Sequence, residues 1–250
     1  MKIVRYLVGK KTGYGIWDGN LVQSLAGTPY RQIKKLDRYY KLSEVKLLAP
    51  CTPSKIVAIG LNYFSHAKET NQPVPEEPMI FLKPSTAIIG PEDKIIYPES
   101  SQRVDYEAEL GVVIKRRAWR VLTKEAMNYV LGYTCFNDVS ARDLQAKERP
   151  LTRSKGFDTF APIGPCIETE LDPANVLLEA YLNGERKQQV NTADLIFGVP
   201  QLVSFISHVM TLLPGDVIAT GTPAGIGPMK SGDIIEIKVE HVGTLRNYVA

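Results

Sequence analysis

The sequence predicts a β-rich mixed α/β fold with few helices, and three observations lead there. Short apolar or alternating runs recur along the chain, each bounded by Gly, Pro, Asn or Asp. Helices are few, and only two segments carry an extended helical pattern. No stretch alternates strand with long helix, as a doubly wound sheet would require. At 250 residues, 44% of them hydrophobic, the chain is long enough to form a sizeable core.

Taken in order, Lys2–Val8 reads as a strand and Gly9-Lys10-Lys11-Thr12-Gly13 as a turn. Residues 14–17 form a second strand, and Asp18-Gly19-Asn20 supplies hairpin chemistry before Leu21–Leu25. A polar stretch, 32–41, follows. Ala49-Pro50-Cys51-Thr52-Pro53 is the natural boundary. It divides a small N-terminal β-domain, 1–50, from a larger domain, 51–250. In the larger part, strands are expected at 55–59, 79–82, 105–114, 133–137, 176–182, 186–190, 216–219 and 234–239. Asn183-Gly184 joins two of them as a tight hairpin. Thr123 is expected to cap a helix running to about residue 131. The longest helix is expected at 199–212, with Pro200 in its first turn and an apolar stripe of Val199, Leu202, Val203, Ile206, Val209 and Met210.

Composition narrows the chemistry. Thirty Lys and Arg against 27 Asp and Glu leave a net charge of +3, too small to call for a polyanionic partner. The basic run Lys115-Arg116-Arg117-Ala118-Trp119-Arg120 reads as the acidic strand continuing into solvent rather than as a nucleic-acid site. No window approaches the ~18 apolar residues of a membrane helix. The N-terminus carries no secretory pattern either, so no membrane partner and a cytoplasmic location are expected. Cys51, Cys135 and Cys166 are an odd, unclustered trio, which excludes a disulfide framework and a zinc–thiolate centre. With three His, the chemistry must lean on carboxylates.

Those carboxylates are concentrated in Val104-Asp105-Tyr106-Glu107-Ala108-Glu109-Leu110-Gly111. Strand side chains alternate faces, so Val104, Tyr106, Ala108 and Leu110 suit a core while Asp105, Glu107 and Glu109 share the other face. Glu107 and Glu109 lie about 6.6 Å apart along such a strand. Two converging carboxylates repel unless a cation sits between them, and Mg²⁺, Mn²⁺ or Ca²⁺ prefer such oxygen ligands. The alternative is an edge strand whose acidic face meets water. Asp138 ends the apolar run Tyr133-Thr134-Cys135-Phe136-Asn137. A carboxylate carried inward costs several kcal/mol, roughly, unless it is paired or metal-bound. Asp138 is thus a candidate third ligand or, alternatively, an N-cap for the next helical turn.

His208 falls on the polar face of the long helix, and His241 ends a strand beside Gly243. His66 differs, because Glu69 follows it at i+3 on a short polar helix after Gly60-Leu61-Asn62-Tyr63. A carboxylate beside imidazole fixes the tautomer a general base needs, although a surface ion pair would look the same. Gly221-Thr222-Pro223-Ala224-Gly225-Ile226-Gly227 could bind an anion through its N–H groups or be a plain loop. There is no G-x-S-x-G, H-E-x-x-H, P-loop or G-x-G-x-x-G.

Six segments in order closely resemble the fumarylacetoacetate hydrolase family over essentially all of 51–250. They are Gly60-Leu61-Asn62-Tyr63 with His66 and Glu69, Phe81-Leu82-Lys83-Pro84-Ser85, Asp105-Tyr106-Glu107-Ala108-Glu109, Asn137-Asp138-Val139-Ser140-Ala141-Arg142-Asp143-Leu144-Gln145, Lys155-Gly156-Phe157-Asp158, and Thr220-Gly221-Thr222-Pro223. The first fifty residues look like the small β-domain of members labelled 2-hydroxyhepta-2,4-diene-1,7-dioate isomerases.

The resemblance implies a β-roll of mixed sheets, commonly a homodimer. It implies that Glu107, Glu109 and Asp138 ligate a divalent metal, usually Mg²⁺, and that His66 and Glu69 form a water-activating dyad on a lid. Lys155 is implied to polarise a substrate oxygen, Gln145 to contact the oxyanion or substrate carboxylate, and Thr222 to hold the carboxylate end. Arg142 and Lys83 are implied to lie nearby, on the substrate-binding side. The substrate class implied is a 2-oxo or 2-hydroxy-dienoate dicarboxylic acid of aromatic or amino-acid catabolism, reacting through a metal-stabilised enolate. The N-terminal likeness favours isomerase or decarboxylase chemistry. Acylpyruvate or fumarylpyruvate hydrolysis, and oxaloacetate tautomerisation or decarboxylation, are the alternatives.

Overall fold

The computed structural model describes residues 1–148 and 150–250. Strand accounts for 43% of the chain and helix for 17%, so sheets define the architecture, as expected. The main sheet runs through Lys35–Lys41, Leu21–Leu25, Lys11–Trp17, Lys2–Val8, Ala161–Glu168, Val130–Asn137, Ala108–Ile114, Val217–Ala219, Ile56–Gly60 and Met79–Lys83. Two short strands, Lys46–Leu48 and Ile88–Ile89, pair off this path. The sheet is mixed, since Val217–Ala219 runs parallel to Ile56–Gly60 while its other neighbour, Ala108–Ile114, is antiparallel. A five-stranded sheet orders Glu185–Asn191, Leu177–Leu182, Ile234–Val239, Gly243–Val249 and Lys94–Ile95. A three-stranded sheet joins Ser140–Ala141, Val104–Tyr106 and Gly227–Met229.

The core lies between the main and five-stranded sheets. Leu110, Val112 and Ile114 of the central strand share one apolar cluster with Leu178, Ala180, Ile235 and Ile237 of the facing sheet. On the reverse face Val113 joins Phe136, Ile163, Val217 and Ala219. Ala108–Ile114 is therefore buried at every position, the pattern of a strand covered on both faces. The first fifty residues share the main sheet with the rest, Lys2 and Ile3 pairing with Glu168 and Ile167.

Several elements depart from expectation for identifiable reasons. The expected strand 105–114 is two strands, Val104–Tyr106 and Ala108–Ile114, broken at Glu107. The helix expected from Thr123 is a 3₁₀ segment, Thr123–Tyr129, that buries only Ala126, and Thr123 does not cap it. Beyond it the chain is already strand, Val130–Asn137. The long helix stops at Val209, whose side chain is exposed, and Met210 is half-buried, so the apolar stripe ends at Ile206. The basic run does not extend into solvent as a strand. Ala118 is buried and exchanges hydrogen bonds with Leu212, and the Arg116 guanidinium stacks 4.5 Å from the Tyr129 ring centroid. Within the polar stretch 32–41, Lys35–Lys41 is an exposed edge strand, where lysines discourage pairing with another chain. Ala161–Glu168 went unpredicted because Pro162 and Pro165 argue against a central strand. A register shift where it meets Val130–Asn137 accommodates Pro165, and Pro162 pairs with Ile89 of a short parallel strand. No helix among the described residues is long and apolar enough to cross a membrane.

Candidate active site

Antiparallel register assembles the acidic cluster. Ala108 pairs with Asn137 and Glu109 with Phe136, so one further step sets Asp138 opposite Glu107. At the break, Asn137 Oδ1 accepts the Glu107 N–H at 3.0 Å and the Glu107 carbonyl accepts the Asp138 N–H at 2.9 Å. Glu107, Glu109 and Asp138 each offer an oxygen within 4.8 Å of the others. Their exposures of 6%, 1% and 1% rule out an acidic face in water. Asp138 is not a cap either; the helix Arg142–Lys147 begins after Ala141.

Three cations are divided unequally among these carboxylates. Lys155 Nζ donates to Glu107 Oε2 at 2.8 Å and Asp138 Oδ2 at 2.7 Å. Arg142 donates to Glu107 Oε1 through Nη2, to Asp105 Oδ2 at 3.0 Å, and to Gln145 Oε1 at 2.5 Å. Lys83 donates to Asp138 Oδ1 and to the Val139 carbonyl at 3.1 Å. Burial would raise Glu107, but Lys155 and Arg142 override it and hold the carboxyl at about 2. Among the described residues, Glu109 receives only the Gly221 N–H, at 2.8 Å. Its burial, followed by the charges of Asp138 and Glu107, pushes its carboxyl well above the ordinary range.

A divalent cation fits this arrangement. Three buried carboxylates form an all-oxygen donor set, and one of them lacks a cationic partner among the described residues. Glu107, Glu109 and Asp138 could therefore hold Mg²⁺ or a similar hard ion.

The cleft above the cluster, about 360 Å³, is lined by His66, Gln72, Arg142, Gln145, Lys155 and Thr222 on its polar side. Its apolar wall is Ile59, Met79, Phe81, Leu151 and Ile226. His66 Nδ1 meets Glu69 Oε2 at 2.9 Å. Glu69 Oε1 accepts the Gly225 N–H at 2.9 Å, which ties the His66 helix to the loop carrying Thr222. Gly225 has φ +96°, and a Cβ there would lie 2.4 Å from the Lys187 carbonyl. Gly221, at φ +97°, would bring a Cβ within 2.8 Å of Asn62 Cβ. The loop spends these two N–H groups on Glu109 and Glu69, so they are not offered to an anion.

Eight of the ten sequence-derived candidates thus stand at the cleft or in the acidic cluster. Glu69 stands behind His66. Lys83, expected on the substrate side, is instead fully buried and braces Asp138. Three residues that shape the site were missed. Asp105 accepts from Arg103 and Arg142. Asn62 accepts the Phe197 N–H and donates to the Thr220 carbonyl at 2.7 Å. Gln188 reaches the site from the five-stranded sheet. Asp105 was legible as a third acid on the same strand face, whereas nothing local marks Asn62 or Gln188.

The family profile described as "Fumarylacetoacetate (FAA) hydrolase C-terminal" matches residues 55–250. This chain belongs to that family. Residues 1–50 match a separate profile, "Rv2993c-like, N-terminal". The chain is 43% identical to the oxaloacetate tautomerase FAHD2B, mitochondrial, of Bos taurus, over 83% of this chain and 70% of that protein. It superposes with TM-score 0.94 on 5-carboxymethyl-2-hydroxymuconate delta-isomerase from Mycobacterium smegmatis, at 43% identity, covering 100% of this chain and 99% of the other. A 2-hydroxyhepta-2,4-diene-1,7-dioate isomerase from Mycobacterium marinum gives TM-score 0.94 at 41% identity, covering 100% and 98%. The expected family and fold are thus borne out for this fumarylacetoacetate hydrolase-family chain.

Proposed function

We propose that this chain is a divalent-metal-dependent isomerase or tautomerase of 2-oxo and 2-hydroxy-dienoate acids. The observation that carries this reading is the His66–Glu69 pair at the edge of a cleft floored by the acidic cluster. A bound divalent ion would act there as a Lewis acid, favouring negative charge on the substrate's 2-oxo oxygen.

The chain's own residues supply the rest. With Nδ1–H donated to Glu69, the His66 Nε2 lone pair faces the cleft as a proton acceptor. It can take a proton from the carbon next to the 2-oxo group and return it to oxygen or to a more distant carbon. Lys155 has three N–H donors and spends two on Glu107 and Asp138, so the third can meet the developing oxyanion. The oxygen of the Gln145 amide is committed to Arg142, which presents its N–H₂ end as donor. Ile59, Met79, Phe81 and Ile226 give the carbon being deprotonated an apolar wall.

Proton shuttling alone completes isomerisation or tautomerisation, and the named activities of the FAHD2B, M. smegmatis and M. marinum proteins support that choice. Hydrolysis of an acylpyruvate is the second reading, because the same imidazole could activate water. The experiment is a panel of 2-oxo acids with Mg²⁺ or EDTA, following loss of the enol absorbance and identifying products. Oxaloacetate tautomerisation or double-bond isomerisation abolished by EDTA supports the reading. Cleavage products alone would replace it with hydrolysis, and EDTA-resistant turnover would remove the metal.

A further inference from the structure

Gln188 lies on the outer strand of the five-stranded sheet, between Lys187 and Gln189, in a hairpin otherwise typical of a protein surface. Its side chain is nevertheless 1% exposed, because it reaches across to the active site. Its Oε1 accepts the N–H of Ala108, the residue between Glu107 and Glu109, at 2.9 Å. Its Nε2 donates to Thr222 Oγ1 at 3.0 Å and to the Pro223 carbonyl at 2.9 Å, with the Ala224 carbonyl a longer contact at 3.4 Å. The partners fix the orientation of the amide, since a backbone N–H requires the oxygen and a backbone carbonyl requires the nitrogen.

This contact determines what Thr222 can offer. A hydroxyl has one proton to give and two lone pairs to receive. Gln188 occupies a lone pair of Thr222 Oγ1, and among the described residues no acceptor takes the hydroxyl proton. Thr222 lines the cleft, where a bound oxygen can take that proton. We propose that Gln188 is a positioning residue that sets the Thr222 hydroxyl as a donor. The loop then presents a hydroxyl proton suited to an anionic oxygen, such as a substrate carboxylate. This rests on the reading of the cleft as a 2-oxo-acid site. These bonds also join the strand of the acidic cluster to the substrate loop through one amide.

The test uses oxalate, a two-carbon dianion that mimics the carboxylate and enolate end of a 2-oxo acid, titrated calorimetrically into Mg²⁺-loaded protein. Gln188→Met, Thr222→Val and the double variant are compared with wild type, and Mg²⁺ affinity is measured separately for each. Gln188→Met should weaken oxalate about tenfold while leaving Mg²⁺ affinity unchanged. In the Thr222→Val background it should cause no further loss, the signature of an effect transmitted through that hydroxyl. Should Gln188→Met not fold, the isosteric Gln188→Glu serves. Its carboxylate would capture the Thr222 proton and must weaken oxalate at least as much. Oxalate bound equally well by the Gln188 variant and wild type would overturn the inference alone, as would a loss undiminished without the Thr222 hydroxyl. A parallel loss of Mg²⁺ affinity would reduce Gln188 to a structural support. If wild type itself fails to bind oxalate with Mg²⁺, the proposed function falls and this inference with it.

Discussion

Glu109 and Gly221 meet at 2.8 Å, and that single backbone N–H is the only hydrogen bond the Glu109 carboxylate receives from the described residues. Glu107 and Asp138 take up Arg142, Lys155 and Lys83 between them, so charge is balanced at two corners of the acidic triangle and open at the third.

This asymmetry links metal uptake to pH. The Glu109 carboxyl, raised first by burial and then by Asp138 and Glu107, holds its proton in the metal-free protein above the pH at which the unfolded chain would release it. The stability this contributes is complete below the ordinary carboxylate range and lost as pH climbs through the raised value. A divalent ion replaces the proton. Mg²⁺ should therefore add more to the melting temperature at about pH 8 than at about pH 5. Glu109→Gln should flatten that difference and weaken Mg²⁺ by at least about tenfold, or ~1.4 kcal/mol. Melting curves with Mg²⁺ or EDTA across this range decide it; a pH-independent increment would remove Glu109 from the ligand set.

The imidazole and its carboxylate should have separable effects on turnover. His66→Ala should lower kcat by about 10²- to 10⁴-fold, the usual contribution of a general base. Glu69→Gln keeps an acceptor for Nδ1–H but loses the negative charge, so a smaller loss is expected. Exchange of the C3 protons of oxaloacetate into deuterated water, followed by NMR, reads the step directly. Wild-type exchange in His66→Ala would assign the proton transfer to another group.

Lys83 is expected to act on the fold rather than on substrate. Its side chain is fully buried against Asp138. Lys83→Met should cost about 3–5 kcal/mol in urea denaturation, because it leaves Asp138 with one fewer cation in a dry site. The double variant Lys83→Met/Asp138→Leu should recover much of that loss while remaining inactive. A Lys83→Met protein of unchanged stability but raised KM would restore the substrate role that the family resemblance implied.

The thiols should be inert. Cys51, Cys135 and Cys166 are free and buried. Burial pushes Cys51 and Cys166 up to about 12, and Cys135 is raised for the same reason. Ellman's reagent should find no fast-reacting thiol in the native protein and three after denaturation. One reacting at the native rate of an exposed cysteine would contradict the packing around it.

The acidic cluster was legible because strand alternation is local: Glu107 and Glu109 share a face wherever that strand lies. Asp138 was marked by the apolar run before it, and the His66–Glu69 contact by helical spacing. The order of the family's six segments then selected among readings that each had a bland alternative. What stayed hidden depends on tertiary pairing. Gln188 sits in an ordinary polar hairpin and acquires its role only through Ala108 and Thr222, 80 and 34 residues away. Lys83 looked like a substrate contact because the sequence does not say on which side of Asp138 it packs. Strand Ala161–Glu168 was masked by its prolines, which in isolation argue against a place inside a sheet.

The sheet order also dictates when the site can come into being. Its strands are joined across long separations, with Ile56–Gly60 beside Val217–Ala219 and Glu109 waiting for a glycine 112 residues downstream. A nascent chain carrying all three acids still lacks the loop that orients Glu109 and closes the substrate pocket. Until that loop emerges, an exposed strand edge beside the acids must be kept from pairing elsewhere. So non-local a contact pattern folds slowly, on a scale of about milliseconds to seconds or longer. The last few dozen residues, rather than the acidic strand, thus complete the site.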